Sequence, residues 1–122
     1  MTKVAINGFG RIGRAFFKLA IKKKGIEVVA INDLGMVENF AYLLKYDTVY
    51  GKSDLDIKTE VNGENRKLIV NGKEIAFLSE KDPSKLPWGK LGIDIVVEST
   101  GRFANYEKAK AHLDVGAKRV VI

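Results

Sequence analysis

Cysteine is absent from this chain, and histidine nearly so. Without cysteine there is no disulfide framework, no thiolate zinc site and no cysteine nucleophile. The single histidine, His112, excludes a histidine-rich metal cluster. It sits in a helical stretch without a partner nearby in sequence and reads as structural or solvated. Proline occurs twice, in Asp82-Pro83 and Leu86-Pro87, which mark an irregular link. No apolar run approaches the ~20 residues of a membrane-spanning helix, and no signal-peptide pattern opens the chain. Repeats and low-complexity segments are missing too. These absences lead to the expectation of a cytoplasmic protein without a membrane partner. Its 122 residues form one domain, 1–122, able to bury roughly two-thirds of its unfolded surface.

Acidic residues are outnumbered, 15 against 21 basic, giving a net charge of +6. The densest basic run, Lys22-Lys23-Lys24, is expected in the last turn of the first helix, where cations favour the helix dipole. The other basic residues are scattered among acids and no nucleic-acid motif accompanies them, so a nucleic-acid partner is disfavoured. A basic surface also suits an anionic cofactor.

The informative segment is the first thirty or so residues. The apolar run Val4-Ala5-Ile6 leads into Asn7-Gly8-Phe9-Gly10-Arg11-Ile12-Gly13 and then into an amphipathic stretch, Arg14 to Lys24. A second apolar run, Val28 to Ile31, is followed by Asn32-Asp33, with Asp33 20 residues beyond Gly13. Strand, glycine-rich turn, helix, strand and acid in this order make a dinucleotide seat. Gly8 allows a sharp turn, Gly10 lets the backbone approach a pyrophosphate, and Gly13 lets the helix pack closely on the sheet. The helix N-terminus, with the amides of Arg11 and Ile12, is placed to meet the phosphates. Asp33 is placed to accept hydrogen bonds from a ribose, and its charge repels a 2′-phosphate, favouring NAD over NADP.

Ile12, Ala15, Phe16, Leu19 and Ala20 are spaced as one apolar stripe for the sheet, and Gly25 is expected to stop that helix. A second helix is expected over about Val37 to Tyr46, with Val37, Phe40, Ala41 and Leu44 on one side, followed by a loop through Gly51. Asp56 to Val61, Lys67 to Val70 and Glu74 to Leu78 read as short strands, separated by Asn62-Gly63 and Asn71-Gly72. Ile93 to Val97 reads as a buried strand ending in Glu98-Ser99-Thr100-Gly101. A last helix, capped by Asn105 with Tyr106, Ala109 and Leu113 inward and closed by Gly116, precedes a strand at Lys118 to Ile122. The order specifies a doubly wound, mostly parallel α/β sheet with a small antiparallel meander at about 56–78. The glycine turn, Asn32-Asp33 and Ser99-Thr100-Gly101 then all fall at the carboxyl ends of strands and converge on one crevice.

The chain resembles the amino-terminal part of the glyceraldehyde-3-phosphate dehydrogenase family. Val4 to Arg14 is similar to that family's opening, and Asn32-Asp33, Leu43 to Asp47, Lys81-Asp82-Pro83, Trp88-Gly89, Glu98 to Gly101 and Gly116-Ala117-Lys118 recur in its order and spacing. The erythrose-4-phosphate dehydrogenases share a similar opening. The resemblance implies a Rossmann domain that binds NAD. Arg11 and Ile12 would give amides to the pyrophosphate, Asp33 would hold the adenosine ribose, and Leu34 and Phe103 would flank the adenine. Lys81 stands where the family often has arginine near the adenine. Thr100 and Gly101 would line the path toward the nicotinamide, Ser99 beside them counts among the cofactor-binding residues, and Asn7 and Asn32 would pin the loops. The family's catalytic cysteine and histidine fall beyond these residues, so no catalytic residue is assigned and the chain by itself is expected to be inactive. Two readings stay open: the cofactor part of such a dehydrogenase, completed by a catalytic chain, or a stand-alone dinucleotide-binding module with a non-redox role. Val120 to Ile122, as an edge, leads to the further expectation of a homodimer or other homo-oligomer.

Overall fold

The computed structural model describes residues 1–46, 56–63, 65–100 and 106–121, with the side chains of Pro83 and of 106–109 left aside. Gly101, Phe103, the Asn105 cap, the inward Tyr106 and Ala109, and the loop from Asp47 to Gly51 lie outside the described residues.

A seven-stranded sheet forms the middle layer. In chain order the elements are β1 (Thr2–Asn7), α1 (Arg11–Ala20), β2 (Ile26–Asn32), α2 (Val37–Tyr46), β3 (Ile57–Asn62), β4 (Asn65–Val70) and β5 (Lys73–Leu78). A 3-10 turn at Pro83–Lys85 follows, then α3 (Trp88–Leu91), β6 (Ile95–Glu98), α4 (Tyr106–Asp114) and β7 (Arg119–Val121). The spatial order is β3-β4-β5-β2-β1-β6-β7. β5, β2, β1, β6 and β7 run parallel, whereas β3-β4 and β4-β5 pair antiparallel. The meander is where the turn chemistry puts it. Asn71 and Gly72 take φ of 51° and 82°, the two positive values that a tight hairpin needs.

Side chains alternate across β1. Val4 and Ile6 join the core beneath α1 and α2, which contains Phe9, Phe17, Val37, Leu44, Leu68 and Phe77. Ala5 faces the other way, into a core of Ala30, Leu86, Trp88, Ile93, Val96 and Ala117. The sheet is thus covered on both faces, which explains the continuous apolar run of β2. A register shift opposite Val4/Ala5 puts Val28 and Ile31 on one face and Ala30 on the other.

Three sequence expectations need correction. The first helix ends at Ala20, so the three lysines lie in the turn beyond it. Gly25, at φ 88°, reverses the chain there, and its carbonyl accepts from the Thr2 N–H to start the β1–β2 pairing. The buried face of α1 is Gly13, Arg14, Phe17 and Ala20, while Ile12, Ala15 and Leu19 face outward. Close approach at Gly13 sets that face (below). In α4 it is His112 that is buried, and Leu113 is exposed.

Candidate functional site

Strand order reverses between β1 and β6. β1 is followed in sequence by its neighbour on one side and is joined on the other by β6. The carboxyl ends of two such strands diverge into a crevice. The glycine turn fills its floor. Gly8 has φ 97°, and a Cβ there would lie 2.7 Å from the Thr100 nitrogen. A Cβ on Gly13 would lie 2.2 Å from the Gly8 oxygen. The Ser99 hydroxyl donates to that same oxygen at 2.6 Å. Gly8, Gly13 and Ser99 therefore form one close contact that presses the first turn of α1 onto the ends of β1 and β6. Gly10 is different: a Cβ there would meet nothing within 4 Å. The first turn leaves the amides of Arg11, Ile12 and Gly13 without intrahelical carbonyl partners, and the Arg11 and Ile12 side chains are exposed.

Asp33 stands at the end of β2, beside this turn. Its Oδ2 accepts the Phe9 N–H at 2.7 Å and its Oδ1 accepts the Gly35 N–H at 2.9 Å. Each oxygen keeps a lone pair for a ligand. The carboxylate is half-buried, and the two amides fix its orientation in advance. The Phe9 side chain is not at the crevice: it is fully buried, edge-on to Phe17 and Phe40. Leu34, next to Asp33, is 57% exposed and available to an aromatic ligand. Lys81 is exposed, three residues beyond the end of β5.

Asn7 and Asn32 do pin these loops to each other. Asn32 Nδ2 donates to Asn7 Oδ1 at 2.7 Å and to the Glu80 carbonyl at 2.9 Å, and Asn32 Oδ1 accepts the Glu80 N–H at 2.8 Å. Asn7 Nδ2 continues the line to Glu98 Oε2 at 2.7 Å. Glu98 is a site residue that the sequence reading left out, as are His112 and Trp88. Glu98 Oε1 accepts the Thr100 hydroxyl at 2.6 Å and its N–H at 3.3 Å, while Oε2 also meets His112 Nε2 at 2.6 Å. Behind it, the Trp88 indole N–H donates to His112 Nδ1 at 2.9 Å. Burial alone pushes the Glu98 carboxyl up, but hydrogen bonds from His112, Thr100 and Asn7 outweigh it and hold the pKa at about 2. A carboxylate closing a buried strand was the one signal in the sequence for this cluster. Thr100 lies two residues on, but His112 and Asn7 lie 14 and 91 residues from Glu98, beyond any local spacing rule.

The arrangement offers open amides, room over Gly10, a fixed carboxylate hydrogen-bonded to the turn and an exposed apolar side chain next to it. That set fits an adenine dinucleotide. Among the described residues no group of histidine, aspartate or glutamate side chains is placed to hold a metal, and no helix is long and apolar enough to cross a membrane.

Comparison with known proteins agrees with this geometry. Residues 2–106 match the family described as glyceraldehyde 3-phosphate dehydrogenase, NAD binding domain. The chain is 58% identical over 120 residues to the glyceraldehyde-3-phosphate dehydrogenase of Geobacillus stearothermophilus, covering 98% of this chain and 35% of that protein. It is 53% identical over 124 residues to the enzyme of Thermotoga maritima and 52% identical over 123 to that of Kluyveromyces marxianus. Each of these two matches covers 100% of this chain and 36% of the relative. The chain thus spans about a third of the length of these relatives.

Proposed function

The chain belongs to the NAD-binding domain family of glyceraldehyde-3-phosphate dehydrogenase, and from that premise we propose that its crevice seats NAD chiefly by the adenosine half. The observation that carries this is Asp33, oriented by the Phe9 and Gly35 amides beside the open space over Gly10. Asn7 to Gly13 form the turn, with the amides of Arg11 and Ile12 on the pyrophosphate. Asp33 takes the ribose hydroxyls, and Asn32 holds the loops in register. Leu34, Lys81 and Phe103 border the adenine, and Ser99, Thr100 and Gly101 lead toward the nicotinamide.

When bound, NAD supplies a hydride acceptor. These residues bind and orient it. The substrate chemistry, oxidation and phosphorylation of glyceraldehyde 3-phosphate, needs a thiol nucleophile that no residue of this stretch supplies. The setting is a cytoplasmic, glycolytic homo-oligomer.

Calorimetric titration with NAD, NADP and ADP-ribose tests the reading. NAD and ADP-ribose should bind with similar affinity and NADP more weakly. Asp33→Ala should weaken NAD about ten- to a hundredfold, the worth of hydrogen bonds to a charged group. Unchanged affinity in Asp33→Ala, or a hundredfold preference for NAD over ADP-ribose, would refute it.

A further inference from the structure

We propose that Glu98 and His112 are positioning residues of the crevice: two one-way chains of hydrogen bonds end on the Glu98 carboxylate, which in turn fixes Thr100 and Asn7. In its bearing on nucleotide affinity this rests on the reading above. The wiring itself stands on the structure alone.

The direction of each chain is forced at its start. The Trp88 indole can only donate, so His112 Nδ1 facing it must be bare, and the ring proton sits on Nε2. Nε2 therefore donates to Glu98 Oε2. The second chain starts at the Glu80 N–H, which also can only donate. Asn32 turns its oxygen toward it, its amide nitrogen toward Asn7 Oδ1, and Asn7 in turn presents its own nitrogen to Oε2. A group receiving two donors on one oxygen and two more from Thr100 on the other must accept throughout. Of the side chains of this size, only an ionised carboxylate does so. The side chains at the centre are buried: Glu98, Asn7 and Asn32 are 5% exposed, Trp88 and His112 0%. No described side-chain nitrogen or oxygen in the interior lacks a partner.

The chains cross the sheet at its functional edge. They tie Glu80, two residues after β5, to the ends of β2, β1 and β6, with α3 and α4 behind. Asn7 and Thr100 flank Gly8, whose backbone packs against Thr100. The spot where a dinucleotide would lie is thus set from below by one charge.

An isosteric change exposes the wiring. In Glu98→Gln the amide brings one oxygen and one nitrogen. The oxygen stays with Asn7 and His112, because a bare His112 Nε2 would move its proton to Nδ1, straight at the Trp88 N–H. The nitrogen then faces Thr100, whose hydroxyl can turn to accept but whose N–H cannot. Shape is kept and the link to Thr100 is reversed.

The chain has one histidine and one tryptophan, so side-chain nitrogen NMR needs no assignment. In 15N-labelled protein at neutral pH, long-range correlation should show Nε2 protonated and Nδ1 bare. Glu98→Gln should keep that signature and speed hydrogen exchange of the Thr100 amide about tenfold. It should also weaken ADP-ribose about tenfold, the worth of one hydrogen bond to a charged group. Thr100→Val removes the hydroxyl at the end of the chain and leaves the His112–Glu98 pair in place. It should weaken ADP-ribose without altering the His112 signals. An Nδ1–H ring or an imidazolium in the wild type overturns the proposal. So does a Glu98→Gln protein whose Thr100 exchange and affinity stay within twofold of wild type. If Glu98→Gln fails to fold, unchanged affinity in Thr100→Val decides against it. Should the wild type bind no nucleotide, the dinucleotide reading falls, while tautomer and exchange still judge the network.

Discussion

Two glycines three residues apart carry different burdens. Gly13 has no room for a Cβ, which would sit 2.2 Å from a backbone oxygen, whereas Gly10 has open space around it and a φ of −75° that any residue adopts. Gly13→Ala should therefore destabilise the fold by about 1–3 kcal/mol or more, the usual range for overpacking. Gly10→Ala should melt like the wild type and lose NAD affinity, because its methyl would occupy space left for the pyrophosphate. Paired urea melts and titrations separate the two. Equal loss of stability in both would show that Gly10 is structural. Asp33 follows the same logic in charge rather than volume: two amides already hold it, so its removal disturbs the turn as well as the ribose contact.

At the scale of the element, the two long helices teach opposite lessons. In α2 the expected stripe is the observed one, with Val37 and Leu44 buried and Phe40 and Ala41 packed on the core. In α1 the apolar periodicity of Ile12, Ala15 and Leu19 points the wrong way. The difference is Gly13 and Arg14. The glycine lets the helix come so close that it must present this face. Arg14, buried with its guanidinium on the Phe9 carbonyl, counts as polar in any pattern. Phe17→Ala should cost about 3–5 kcal/mol, while Leu19→Ala on the exposed face should stay within about 0.5 kcal/mol. Chemical denaturation of both checks it, and a larger loss at Leu19 would contradict the observed helix rotation. The strands, hairpins and glycine turn were legible because each has a local chemical signature. α3 was not, since a single turn leaves no periodicity. The Glu98 cluster was not, because its members meet only after the sheet has formed.

For the molecule as a whole, the buried carboxylate makes stability depend on acid. Glu98 has its pKa lowered from 4.5 to about 2 on folding, so its contribution is fully present above about 4.5 and is lost as pH falls toward 2. That difference corresponds to on the order of 3 kcal/mol. Wild type should thus lose stability between pH 6 and pH 3 more steeply than Glu98→Gln, and urea midpoints across that range would show the two curves converging. Parallel curves would mean that the charge of Glu98 is not favoured by the fold.

β1, the middle one of the five parallel strands, is also the first of the seven to be made. β1 gains its partner β2 after one crossover through α1, with Asn7 in register with Asn32, but its other neighbour, β6, is encoded 91 residues away, counted from Asn7 to Glu98. At ribosomal speeds of ~5–20 residues per second, that interval is about 5 to 18 seconds. For all of it the heart of the sheet has one side bare, while the meander, built from neighbours in sequence, can already close. The emerging chain is therefore most open to mispairing in the middle of its future core, and it passes that hazard only when Glu98 arrives.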